Sequence, residues 1–148
     1  MPMEYSIITE NLYVGMQPDL DLKDELAALG ITASVNLRDE YDDEVHGLTF
    51  SRYCYLPTVD EKPPVLEDLQ KGVDFIADVI NQGGKVYIHC AAGVGRAPTM
   101  AAAYLISQGF EVEDAIRTIH QKRPIIALTK DQFDVLVAFA DGLADIHK

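Results

Sequence analysis

The chain has 148 residues, enough to bury one core without disulfides or a structural metal and too few for two domains, so 1–148 is read as a single domain. Apolar residues make up 48% and charged residues 24%; no apolar run approaches the length that crosses a bilayer, and the opening residues carry no charged-then-apolar leader pattern. A net charge of −12 excludes an electrostatic grip on nucleic acid or on an anionic membrane, so affinity for an anion has to be local.

In chain order, residues 11–15 (NLYVG) form a short apolar run of strand type. Asp19 offers an N-cap, Leu22, Leu26 and Leu29 share a helical face, and Gly30 stops that helix. Residues 31–37 (ITASVNL) carry the β-branched content of a strand. Residues 38–47 are acidic and irregular, which predicts an exposed loop, and residues 51–56 (SRYCYL) are again strand-like. The prolines of residues 57–64 mark a loop. From Leu66 through Ile80 the apolar residues keep helical spacing, with a stop at residues 81–84. Residues 85–89 (KVYIH) suit a central buried strand feeding directly into a Gly-rich turn at 90–95.

Residues 96–107 read as a helix with Pro98 tolerated in its first turn, and Gly109 ends it. Val112, Ala115, Ile116 and Ile119 mark a further helix that stops before Pro124. Thr129 and Gln132 form a capping box for a last helix through Phe133, Leu136, Val137 and Ala140. Strands alternating with helices, followed by a helical C-terminal half, predict an α/β fold: a small, mostly parallel central sheet flanked by helices. The two cysteines, Cys54 and Cys90, make no Cys-x-x-Cys motif and read as thiols of a reducing cytoplasm, Cys54 as an ordinary core residue.

The stretch His89-Cys90-Ala91-Ala92-Gly93-Val94-Gly95-Arg96 joins the predicted central strand to a helix. Successive backbone N–H groups of such a turn form a nest for an anion, and the helix behind adds free N–H groups and the positive end of its dipole. Gly93 and Gly95 permit backbone conformations that a Cβ opposes. A cysteine at the head of the nest is favoured as thiolate. Arg96 closes the loop with a planar fork of donors that fits two phosphoryl oxygens. A Walker A loop would need Gly-Lys-Ser/Thr where Gly95-Arg96-Ala97 stands, and a zinc site would need more ligands than His89 and Cys90.

His-Cys, five residues and then Arg, set between strand and helix, resembles the signature of the cysteine-based protein tyrosine and dual-specificity phosphatases. The small size and the position of the loop, about three-fifths along the chain, are similar to a minimal dual-specificity phosphatase. The resemblance implies a metal-independent enzyme without cofactor. Cys90 would attack phosphorus, Arg96 and the amides of residues 91–95 (Ala91, Ala92, Gly93, Val94, Gly95) would bind the phosphoryl group, and His89 would support the loop. It also implies a loop aspartate some thirty residues before the cysteine as acid and then base; Asp60 holds that place, with Glu61 as the weaker choice.

Most members of the family follow the arginine with a serine or threonine that eases breakdown of the phosphoenzyme; Ala97 stands here, and Thr99 is the nearest hydroxyl. The implied substrate is a phosphorylated protein (phosphotyrosine or phosphoserine/threonine) or a small phosphomonoester, acted on by a cytoplasmic monomer with no nucleic acid or membrane partner. The Cys-x-Ala-Gly-x-Gly-Arg-Ala-Pro loop is also similar to that of glucan phosphatases, which keeps a carbohydrate substrate as an alternative. A phosphate-binding domain without turnover and a sulfurtransferase are the remaining alternatives. The uncharged Ala91, Ala92 and Val94 argue against a highly charged inositol lipid.

Overall fold

In the computed structural model, which describes residues 4–146, the sheet explains where the chemistry sits. Its strands are β1 (Tyr5–Thr9), β2 (Leu12–Gly15), β3 (Ile31–Arg38), β4 (Arg52–Thr58) and β5 (Lys85–His89). They lie in the order β1-β2-β5-β3-β4. β1 pairs antiparallel with β2, while β2, β5, β3 and β4 run parallel to one another. The segments leaving these four parallel strands therefore emerge at one edge, where ligands of open α/β sheets bind. The predicted central strand is central: Val86, Tyr87, Ile88 and His89 have no exposed surface.

The helices are α1 (Leu20–Ala28), α2 (Leu66–Asn81), α3 (Arg96–Ser107), α4 (Val112–Lys122) and α5 (Lys130–Ile146). Alternation along the strands divides the core between two faces. Leu12, Val14, Val35, Leu37, Val86 and Ile88 point to the side covered by α2 to α5, with Leu69, Ile76, Met100, Ile119 and Leu136 packed on them. Tyr13, Ile31 and Tyr87 point to the other side, where Leu22 and Leu26 of α1 cover them. The predicted stops and caps are in place. Asp19 accepts from the Leu22 N–H at 2.8 Å, and Gly30 takes a left-handed φ of +100° after α1. Thr129 and Gln132 exchange side-chain bonds with each other's N–H at 3.0 and 3.2 Å.

Two expectations fail. The sequence reading assigned nothing to residues 5–9, which form edge strand β1. The segment after β3 was expected to be an exposed loop, yet Asp43 and Leu48 within it are buried. Parallel neighbours such as β3 and β4 need a long crossover, usually a helix; here the crossover is irregular chain, and it folds across the functional edge of the sheet. Two of its acidic residues, Glu40 and Asp43, are spent on partners there, which their number in the sequence does not reveal.

Candidate active site

β5 delivers His89 and Cys90 to the edge, and the turn at 90–95 leads into α3. Cys90 lies at the base of a cavity of about 420 Å³ whose floor is Ala91, Ala92, Val94, Gly95 and Arg96. Its Sγ accepts the backbone N–H of Ala97 at 3.4 Å, so the first turn of α3 points at the sulfur. Gly93 has a φ of +69°, and a Cβ there would lie 2.6 Å from the Gly15 backbone and 2.8 Å from the Arg123 guanidinium. Gly95 has a φ of −127°, so the expectation of special backbone freedom fails there; its bare Cα makes room for the Gln132 side chain.

Arg96 is 1% exposed. Its Nη1 donates to the Thr58 carbonyl at 2.8 Å and to Glu40 Oε1 at 2.9 Å, and its Nη2 donates to Glu40 Oε2 at 3.1 Å. Its Nε is buried without a hydrogen-bond partner, 3.6 Å from Asp60 Oδ1. Glu40 thus fixes one edge of the fork and leaves the Nε edge for a ligand. The Arg96 guanidinium in turn holds the Glu40 carboxyl well below the usual carboxylate range.

Behind the loop, buried Arg123 donates through Nε to the Gly93 carbonyl at 2.8 Å and through Nη2 to the Ala92 carbonyl at 2.9 Å. These bonds turn the two carbonyls away from the cavity, which leaves the opposite, N–H side of the nest for an anion. His89 faces away from the cavity, stacked on Tyr87 at 5.7 Å, with its Nε2 2.5 Å from Asp43 Oδ2.

Asp60 and Glu61 stand on the cavity wall, in a turn closed by the Lys62 N–H on the Val59 carbonyl at 3.0 Å. Asp60 Oδ1 accepts the Glu61 N–H at 3.0 Å, and Glu61 has a left-handed φ of +67°. The capping box of α5 braces this turn: Thr129 Oγ1 donates to the Glu61 carbonyl at 3.2 Å and Gln132 Nε2 to the Lys62 carbonyl at 3.2 Å. The structure therefore brings Cys90, Arg96, the loop amides and Asp60 to one cavity and leaves His89 behind it. Among the described residues, no group of three His, Cys, Asp or Glu side chains is placed to hold a metal.

The family model described as the catalytic domain of dual specificity phosphatases matches residues 12–141. The chain belongs to the dual-specificity phosphatase family. Human dual specificity protein phosphatase 1 is 33% identical over 118 residues, covering 78% of this chain and 32% of that protein. A probable rhodanese domain-containing dual specificity phosphatase of Dictyostelium discoideum is 35% identical over 123 residues, covering 81% of this chain and 25% of that protein. The chain thus spans about a third or less of the length of these relatives. Among solved structures, PTPMT1 in complex with PI(5)P superposes with a TM-score of 0.89 at 27% identity, over 98% of this chain and 99% of that one. Tk-PTP in its active form gives 0.84 at 27% identity, over 95% and 99% of the two chains.

The supports of the candidate site carry no active-site motif in the sequence: Glu40 on Arg96, Asp43 on His89, Arg123 behind the loop and Gln132 beside it. A signal existed for the first two. They follow the C-terminal end of a predicted strand, the end at which an α/β sheet gathers its functional groups.

Proposed function

We propose that this chain hydrolyses phosphate monoesters through a phosphocysteine on Cys90. Cys90 Sγ forms a bond to phosphorus as the bond to the leaving oxygen breaks, and Asp60 gives that oxygen its proton. Water then attacks phosphorus, Asp60 takes the proton, the S–P bond breaks and inorganic phosphate leaves. Arg96 and the amides of residues 91–95 balance the charge on the equatorial oxygens in both steps. The observation that carries the reading is the buried Arg96 Nε, without a hydrogen-bond partner, in the cavity that holds Cys90.

The substrate we propose is phosphotyrosine or phosphoserine/threonine in a protein, met by a monomer in the cytoplasm, where the nucleophile stays reduced. PTPMT1 is a relative solved with a phosphoinositide. The cavity here has Arg96 as its cation and Asp60 and Glu61 on its wall, which supports a lone phosphoryl group on a neutral or basic carrier.

The test is hydrolysis of para-nitrophenyl phosphate with a chelator present. Wild type is expected to be active, Cys90→Ser inactive, and Asp60→Ala slowed about 100-fold. Activity undiminished in Cys90→Ser overturns the reading. No activity in folded wild type replaces it with a phosphate-binding domain.

A further inference from the structure

Two carboxylates of the β3–β4 crossover reach the site from opposite sides. Asp43 meets His89, next to the nucleophile, and Glu40 meets Arg96. Gln17, in the segment after β2, joins the two. Its Nε2 donates to Asp43 Oδ1 at 2.7 Å, and its Oε1 accepts from Arg38 Nη1 at 3.3 Å. Arg38 Nε lies 3.1 Å from Glu40 Oε2. The Gln17 backbone N–H donates to the Ala91 carbonyl in the cysteine loop at 3.0 Å. A polar chain results, hydrogen-bonded except at the Arg38–Glu40 ion pair, where Arg38 Nε makes no hydrogen bond: His89, Asp43, Gln17, Arg38, Glu40, Arg96. It leaves the loop beside the nucleophile and returns at the arginine.

The His89 end of this chain is dry. Neither His89 nor Asp43 has exposed side-chain surface, and each Asp43 oxygen has its own donor. A carboxylate so fixed orients whatever it touches, and in a water-poor site its loss is felt along the chain. Both ring nitrogens of His89 face acceptors, Asp43 Oδ2 and, at 3.4 Å, the Cys90 carbonyl. That ring adjoins Cys90 in the chain.

Resting on the phosphocysteine reading, we propose that Asp43 is a positioning residue for both halves of the site: through His89 it holds the Cys90 loop, and through Gln17 and Arg38 it holds the Glu40–Arg96 clamp. Asp43 does not line the substrate cavity. Other charged or titratable groups bear on the same pair. Arg96 from α3 and Arg123 from the end of α4 bring positive charge to the loop that carries Cys90. Tyr87 stacks on His89, and Asp60 stands beyond Arg96. None of these takes the place of Asp43 against His89 Nε2.

The test uses Asp43→Asn, which keeps the shape of the side chain and removes its charge. Two readouts are independent of turnover: the rate of Cys90 alkylation by iodoacetamide across pH, and the affinity for inorganic phosphate measured as protection against that alkylation. Burial pushes the Cys54 thiol up to about 11, so the label reports on Cys90. In Asp43→Asn, alkylation is expected to fall about tenfold near pH 6 and to converge with wild type near pH 9. Phosphate is expected to bind several-fold more weakly.

In a Gln17→Ala background the link to the arginine is already cut, so adding Asp43→Asn should still slow alkylation but weaken phosphate binding less than it does in wild type. A slowing uniform across pH, or a phosphate affinity left at the wild-type value, overturns the proposal. So does a phosphate effect that persists undiminished in the Gln17→Ala background. If Asp43→Asn does not fold, Gln17→Ala alone decides, and unchanged phosphate affinity overturns it. Hydrolysis surviving Cys90→Ser would remove the phosphocysteine reading, while these measurements would still report on Asp43.

Discussion

Thr99 is the hydroxyl that could have replaced the one absent at Ala97, and its Oγ1 donates instead to the Gly95 carbonyl at 2.7 Å. The Cys90 sulfur is left with the Ala97 backbone N–H. Breakdown of the phosphoenzyme is therefore expected to limit turnover. Rapid mixing with para-nitrophenyl phosphate should show a burst of leaving group, and Ala97→Ser should shrink the burst and raise kcat several-fold. Linear release in wild type from the first turnover removes the idea.

Glu40 gives a second expectation at this scale. Its carboxyl is depressed in the fold, chiefly by its hydrogen bond from Arg96, so its contribution is present above the ordinary carboxylate range and disappears as pH falls through the folded value. Thermal melts of wild type and Glu40→Gln should differ most near neutrality and converge in strong acid. With the Glu40 side chain 40% exposed, solvent screening limits the neutral gap to about 1 kcal/mol. The same variant should raise KM more than it lowers kcat, because a loosened Arg96 binds ground state and transition state less well alike.

Among the elements, α5 does more than cover the core, because its capping box closes on the carbonyls of the Asp60 turn. Thr129→Ala or Gln132→Ala should cost about 1 kcal/mol of stability, the usual loss for a cap. Each should also lower kcat/KM for alkyl phosphates more than for para-nitrophenyl phosphate, since the poorer leaving group depends more heavily on a proton from Asp60. Equal losses on both substrates would mean that the brace does not serve the acid. This helix start was legible in the sequence because capping is local chemistry, as were Asp19 and Gly30 around α1 and the loop from Cys90 to Arg96. The crossover from β3 to β4 was not. Glu40 and Asp43 find their partners 56 and 46 residues away, and although the end of a predicted strand marks where to look, an acidic run does not show which of its carboxylates turns inward. β1 was missed for a related reason: its pattern of one buried residue in two is ordinary until β2 offers it an edge.

Across the whole molecule, the net charge of −12 is not neutral toward substrate choice. The segments leaving the parallel strands carry Asp19, Asp39, Asp42, Glu44, Asp60 and Glu61 against one exposed cation, Lys62, while Arg38 at the end of β3 is engaged by Glu40. The proposed phosphoryl pocket is thus a small positive well in a negative surround. Phosphopeptides with basic flanks should show a several-fold higher kcat/KM than acidic ones, and added salt should narrow the gap by slowing the basic and aiding the acidic. A ratio indifferent to salt would place the preference in direct contacts.

The common direction of β2, β5, β3 and β4 has a practical corollary at the opposite edge. The turn that precedes β5 is exposed at Asn81, Gln82 and Gly83, and a Cβ at Gly83 would meet nothing within 4 Å. A peptide spliced into that turn, or a bead tethered through it, would hang from the underside of the sheet while the mouth looked outward. The molecule has a handle and a working end, and the handle can be gripped without touching the chemistry.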